Sequence, residues 1–385
     1  MIKHLFTILA AIVIAAVSQA CAQPAAATAP NKIRVACIGA SITYGAGIEN
    51  REKNCYPAQM QNLIGDGYDV RNFGVNSRTM LKHGDLPYWN DDAYKQALAF
   101  NPDVVVVDLG ANDSKPQNWK YKDEFAENTR AMIESFRALP SKPRVLLCLP
   151  MPAFKVMWGI DDDIITKQEI PVMRQVAFET GTELIDQHTA FRNKEAWFPD
   201  NIHPNAQGAA LMAKIIGGVI VFKPDAEFNL EKSLATQGIA AKVSSFYGYR
   251  QLDFTMDDGR QCTVVRPYVA AAGHPYAWRG EFFGHEPQTD LFLLQHGYHV
   301  VYVGTQNMYG SPPAMKIWEK FHTLLANAGL DGKITLIGMS RGGLYCYNWA
   351  ALHPETVSVL YGDAPVCDFK SWPGGNGRNS TTKNE

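Results

Sequence analysis

Four consecutive valines, Val104 to Val107, flanked by Asp103 and Asp108, constrain this chain more than any other stretch. A strand with apolar side chains on both faces has to be covered on both sides, as strands are in a parallel sheet between helical layers. Shorter apolar runs of the same kind recur at Ile33–Ile38, Tyr68–Phe73, Arg144–Leu149 and Glu183–Ile185. Helix-period segments lie between them, at Lys122–Leu139 and Pro171–Thr180, and a helix over Ala206–Phe222 closes the unit. Strand and helix in alternation predict an α/β fold with a parallel sheet over residues 33–222. Ligands of such sheets bind at the carboxyl ends of the strands. Ser41, Gly74 and Asn112 each stand just past such an end.

A second α/β pattern starts near residue 241, after a mixed polar stretch at 223–240 that reads as a linker. Tyr249–Phe254 and Cys262–Arg266, joined through Asp257-Asp258-Gly259, read as a hairpin. His299–Val303, Lys333–Ile337 and Val357–Tyr361 read as strands, with a helix over Pro313–Leu330. Residues 373–385 are poor in apolar side chains and read as a disordered tail beyond a second unit at 241–372.

The 385 residues are enough for two cores, and the net charge of −2 provides no field to hold nucleic acid or an anionic membrane. Histidines and cysteines are not set at metal-ligand spacings, so neither a metal nor another cofactor is expected. Residues 1–22 read as an export signal: Lys3 and His4, an apolar run from Leu5 to Val17 too short to span a bilayer, then Ala20-Cys21-Ala22 as cleavage site. A lipid anchor on Cys21 is the alternative, although Ser18 stands where a large aliphatic residue is usual. The Ala/Pro/Thr-rich stretch that follows, to residue 32, is a linker, and the mature chain is expected outside the cytoplasm. Cys37 and Cys148 lie in strand-like runs and are expected as buried free thiols.

Asp200-Asn201-Ile202-His203-Pro204 sets a carboxylate and an imidazole three residues apart. A carboxylate fixes the tautomer of an imidazole, which then takes the proton of a serine, and Ser41 is the serine at a strand end. An attacked carbonyl also needs donors for its oxyanion. The backbone N–H groups of Ser41 and Gly74 and the side-chain amide of Asn112 are the candidates. His83 and His188 have no matching local pattern and are expected on the surface.

The ordered blocks Gly39-Ala40-Ser41-Ile42, Gly74, Gly110-Ala111-Asn112-Asp113 and Asp200–His203 resemble the SGNH (GDSL-like) hydrolase family. The resemblance implies a flavodoxin-like three-layer α/β/α sandwich. It also implies Ser41 as nucleophile, Asp200 and His203 completing the triad, and Gly74 and Asn112 in the oxyanion hole. One position departs: Ala40 stands where the family has aspartate.

A second serine turn, Gly338-Met339-Ser340-Arg341-Gly342, follows a strand and precedes a helix, the context of a nucleophile elbow. The region from about 241 resembles the α/β-hydrolase family, whose acid and histidine follow the serine. Here the later histidine is His353, beside a helix end, and Asp363 and Asp368 are the later acids. A turn at Trp278-Arg279-Gly280 would supply an oxyanion donor. The unit reads as the front half of such a domain, either cut short or a remnant serving as scaffold or binding surface, with truncation favoured and Ser340 inactive in this chain.

Tyr88-Trp89, Trp119-Lys120-Tyr121 and Phe154–Trp158 place aromatic faces in loops after strands, where they would stack on sugar rings or pack locally. The expected activity is hydrolysis of O-acyl groups, above all O-acetyl groups, on carbohydrate through an acyl-serine. A lipid-directed esterase or lysophospholipase, and a non-catalytic glycan-binding protein, are the alternatives.

Overall fold

A computed structural model describes residues 32–222, 224–225, 228–330 and 333–368. The expectations for the signal, for Cys21, for most of the first linker and for the tail fall outside these residues.

The first sheet has five strands: β1 (Ile33–Gly39), β2 (Tyr68–Gly74), β3 (Val104–Asp108), β4 (Arg144–Leu149) and β5 (Glu183–Asp186). They are parallel in the order β2-β1-β3-β4-β5, the flavodoxin-like order. The four valines of β3 show why it is central. Val105 and Val107 pack with α3 (Asp92–Ala99), α4 (Phe125–Arg137) and α5 (Ile170–Thr180). Val104 and Val106 pack with α2 (Tyr56–Ile64) and α6 (Ala206–Val221) on the opposite face. Period-two alternation thus separates one run of valines into the two cores of a three-layer sandwich.

The chain leaves β1 toward β2 on one side and enters β3 on the other. Such a switch point opens a crevice at the strand ends, and both Ser41, two residues past β1, and Asn112, four past β3, stand there.

The second sheet has seven strands, β6 (Lys242–Phe246), β7 (Tyr249–Thr255), β8 (Gln261–Arg266), β9 (Tyr276–Arg279), β10 (His299–Val303), β11 (Ile334–Met339) and β12 (Val357–Asp363). Their order is β12-β11-β9-β10-β8-β7-β6. β6, β7, β8 and β10 pair antiparallel in succession; β10, β9, β11 and β12 are parallel.

Two expectations are corrected here. The stretch 223–240 is not merely a connection, because α7 (Leu230–Thr236) buries Leu230 and Leu234 in the core of the second sheet. Nor is Trp278-Arg279-Gly280 a free turn. Trp278 and Arg279 end the central strand β9, with Trp278 stacked at 4.2 Å on Trp318 of α9 (Pro312–Asn327). The Gly280 N–H donates to Ile337 O at 3.0 Å. A four-residue strand without apolar–polar alternation has little to separate it from a loop in sequence.

The two sheets are in contact through α8 (Gln288–Gln295), where Gln295 Oε1 accepts from the Asp186 N–H of β5 at 3.1 Å. Among the described residues Cys37, Cys55, Cys148, Cys262 and Cys346 are buried free thiols, and no helix is long and apolar enough to cross a membrane.

Candidate active site

Ser41 opens the short helix α1 (Ser41–Tyr44), entered from Ala40 without a side-chain cap. The fastening that a capping residue would give comes from beneath. Thr43 Oγ1 donates to Asp108 Oδ2 at 2.9 Å, at the end of β3. Asn72 Nδ2 donates to Thr43 O at 2.8 Å, from β2. Asp108 is buried, and burial outweighs the Thr43 hydrogen bond, so its carboxyl is pushed up to about 6. The alanine at position 40 therefore leaves the serine turn held by three strands.

Asp200 and His203 sit on a tight turn before α6. Asp200 Oδ1 accepts the N–H groups of Ile202 (3.0 Å) and His203 (2.7 Å). Its Oδ2 lies 2.7 Å from His203 Nδ1, and His203 Nε2 lies 2.8 Å from Ser41 Oγ. An ionised carboxylate only accepts, which assigns the proton to Nδ1 and leaves Nε2 free to accept from the serine. Burial works to raise the Asp200 carboxyl, but the His203 N–H, the ring and the Ile202 N–H outweigh it and hold the group below its ordinary range. The arrangement can deprotonate Ser41 and stabilise the imidazolium that results.

Asn112 is buried at the same crevice. Its Nδ2 gives one hydrogen to Arg78 O at 3.2 Å and keeps the other. Next to it, Asp113 accepts from Met80 N (2.9 Å) and Leu81 N (2.7 Å), pinning the 76–81 loop to the 110–115 loop. Burial outweighs these donors and pushes the Asp113 carboxyl up to about 7. Glu169, wholly buried nearby with neither carboxyl oxygen hydrogen bonded, is raised well above the ordinary range by burial and by the charge of Asp113.

The Gly74 N–H, expected in the oxyanion hole, is already engaged in this structure. It donates to Asn72 Oδ1 at 2.8 Å, and a Cβ on Gly74 would meet Tyr44 N at 2.3 Å. The glycine serves the close approach of α1 to β2. Ser77, three residues on, lines the open cleft together with Ser41, Asn112 and His203. Its backbone is left-handed, with φ 64°, and no hydrogen bond engages its N–H among the described residues. Sequence reasoning passed over it because Asn76-Ser77 reads only as a turn.

Two spaces meet at Ser41. The open cleft, about 370 Å3, is lined by Ser41, Ala46, Asn76, Ser77, Asn112, Lys115, Trp158, Ile160 and His203. Beneath it a chamber of about 20 Å3 is walled by Leu109, Pro150, Met151, Ile160 and Ile202.

The remaining candidates separate. His83 is exposed and paired with Glu124, as expected. His188 is not on the surface: it is buried, its Nε2 3.0 Å from Asp162 Oδ1. Ser340 directly follows β11 with φ 48°. Its N–H donates to Asp363 O at 3.0 Å and its carbonyl accepts from Gly343 and Val366. His353 lies beyond the far end of α10 (Gly342–Leu352), an 11-residue helix about 16 Å long, and its Nε2 faces Glu319 at 3.2 Å. No group of three metal-ligating side chains is present among the described residues.

A curated acetylxylan esterase from Xylanibacter ruminicola is 49% identical over 206 residues, covering 49% of this chain and 43% of that protein. This chain therefore spans less than half the length of that relative. Solved structures with a likeness include a carbohydrate acetylesterase from Sinorhizobium meliloti (20% identity, 49% of this chain and 99% of that one, TM-score 0.40). Another is the aryl esterase of M. smegmatis (16% identity, 50% and 99%, TM-score 0.40). The sequence profile of the GDSL-like Lipase/Acylhydrolase family matches residues 37–211, a little under half of the chain.

Proposed function

We propose that this protein is a carboxylic ester hydrolase that removes acetyl groups from carbohydrate through an acyl-serine intermediate at Ser41. The observation that carries the reading is the unbroken relay Asp200 Oδ2–His203–Ser41 Oγ, at 2.7 and 2.8 Å. His203 takes the serine proton as Oγ attacks and returns it to the leaving sugar oxygen. Water then enters by the same relay and releases acetate. The Ser41 N–H at the start of α1, the free hydrogen of Asn112 Nδ2 and the N–H of Ser77 are the donors for the oxyanion.

The acyl group is small in this reading because the chamber under Ser41 is small. A space of about 20 Å3 holds roughly one water-sized group, the size of the acetyl methyl. Longer chains would have to displace Met151, Ile160 or Ile202. The name of the Xylanibacter relative supports an acetylated polysaccharide as substrate. The reading of residues 1–22 as a signal supports a location outside the cytoplasm. The second sheet, in this proposal, is an α/β-hydrolase-like unit: its mixed strand order and the Ser340 turn after β11 support that reading.

The test is hydrolysis of a series of esters of one alcohol, from acetate to octanoate. Acetate is expected to be cleaved at least about tenfold faster than butanoate, in line with what one or two misfitting methylenes cost. A preference for octanoate would reject the acetyl assignment and favour a lipid-directed enzyme.

A further inference from the structure

The aromatic residues of the loops at the strand ends differ sharply in what they do. Tyr88 is fully buried, and Trp119 is buried with its Nε1 on Gln168. The Trp89 Nε1 donates to Met80 O, and Phe154 packs edge-on against Phe198 at 4.9 Å. Trp158 is 59% exposed, lines the cleft, and has its ring 5.5 Å from that of His203. Its backbone is left-handed at φ 52° and is followed by Gly159 at φ 82°, closing a two-residue turn between the bridged residues Met157 and Ile160. Ile160 N donates to Met157 O at 2.9 Å, and Asp161 N donates to Ser114 Oγ at 3.0 Å. A bulky residue in this conformation costs about 1 kcal/mol or more. An indole more than half exposed gains little burial to offset that cost.

We infer that Trp158 is the stacking platform for the sugar ring whose acetyl group is removed, an assignment that rests on the carbohydrate-esterase reading. The same turn supplies Ile160 to the acyl chamber and Trp158 to the cleft, so acyl group and sugar ring are held by residues two apart. A pyranose has an apolar face for the indole and hydroxyls at its rim. Lys115, Asn76 and the Ser77 hydroxyl line the same cleft as donors for that rim.

The experiment compares wild type, Trp158→Ala and Trp158→Phe on acetylated xylo-oligosaccharides and on glyceryl triacetate, which has no ring to stack. The expected result is a KM for the oligosaccharide raised about tenfold in Trp158→Ala, with kcat within threefold and Trp158→Phe restoring most of the loss. On glyceryl triacetate the loss in kcat/KM is expected to be at least about threefold smaller than on the oligosaccharide. Equal losses on both esters would mean that Trp158 acts only through His203, and no change on either would mean it touches no substrate. Each overturns the assignment while leaving the esterase reading intact. A wild type with no preference for the oligosaccharide over glyceryl triacetate would remove the carbohydrate reading and this assignment together.

Discussion

Ser41 and Ser340 both stand just past the carboxyl end of a buried parallel strand, the first opening a helix and the second two residues before one, yet among the described residues only Ser41 has a base. Near Ser41, a turn 162 residues downstream delivers an imidazole to 2.8 Å, already oriented by a carboxylate. Near Ser340 the backbone groups are taken by Asp363, Gly343 and Val366, and the later histidine pairs with Glu319 instead. A serine on a sharp turn is thus a geometric opportunity. Chemistry depends on what a distant part of the chain brings to it.

The largest expected effect sharpens this contrast. Ser41→Ala should lower kcat on an acetate ester by about 10⁴-fold or more, whereas Ser340→Ala should leave it within twofold. Steady-state kinetics on the two variants decide it, and a large loss from Ser340→Ala would dissolve the comparison. A smaller effect is expected from Asn112→Ala, about 10²-fold in kcat with little change in KM, because in the proposed mechanism its free N–H serves the oxyanion and not the resting ester. A loss confined to KM would remove Asn112 from the oxyanion hole.

The smallest effect is in stability and concerns one buried acid in each of the two sheet units. Glu281 has Arg341 at 3.6 Å, while Glu169 has no cation and no hydrogen bond. Burial raises both, Glu169 the further. A carboxyl raised on folding keeps a proton that the unfolded chain releases. Its contribution is complete below the ordinary glutamate range and is lost as pH rises from there toward the folded value. Urea unfolding between pH 4.5 and 8 should show stability falling with a component of up to about 1.4 kcal/mol per pH unit, absent in Glu169→Gln. An unchanged slope in that variant would show that Glu169 is not held protonated.

The first unit was readable because each of its signals is local and strong. Four valines, a serine at a strand end and a carboxylate three residues from a histidine keep their meaning without a partner in view. What stayed hidden depends on pairings across the fold. β9 is four buried residues whose character comes from β10 and β11 on either side. Ser77 is an ordinary turn residue until its loop is pinned by Asp113. His188 looked like a surface residue because nothing near it in sequence announces Asp162. Trp158 was one aromatic among several, and only burial separates it from the others.

The glycine pair Gly39 and Gly74, in register across β1 and β2, has a consequence for how sites like this are recognised. A Cβ on Gly39 would lie 2.1 Å from Thr43 Oγ1, and one on Gly74 would lie 2.3 Å from Tyr44 N. In a saturation-mutagenesis screen both positions should therefore be as intolerant as Ser41 itself, although neither touches the ester. Intolerance to substitution beside a nucleophile can mark the room a helix needs to sit on a sheet, and a survey of inactive variants alone would count such residues as chemistry.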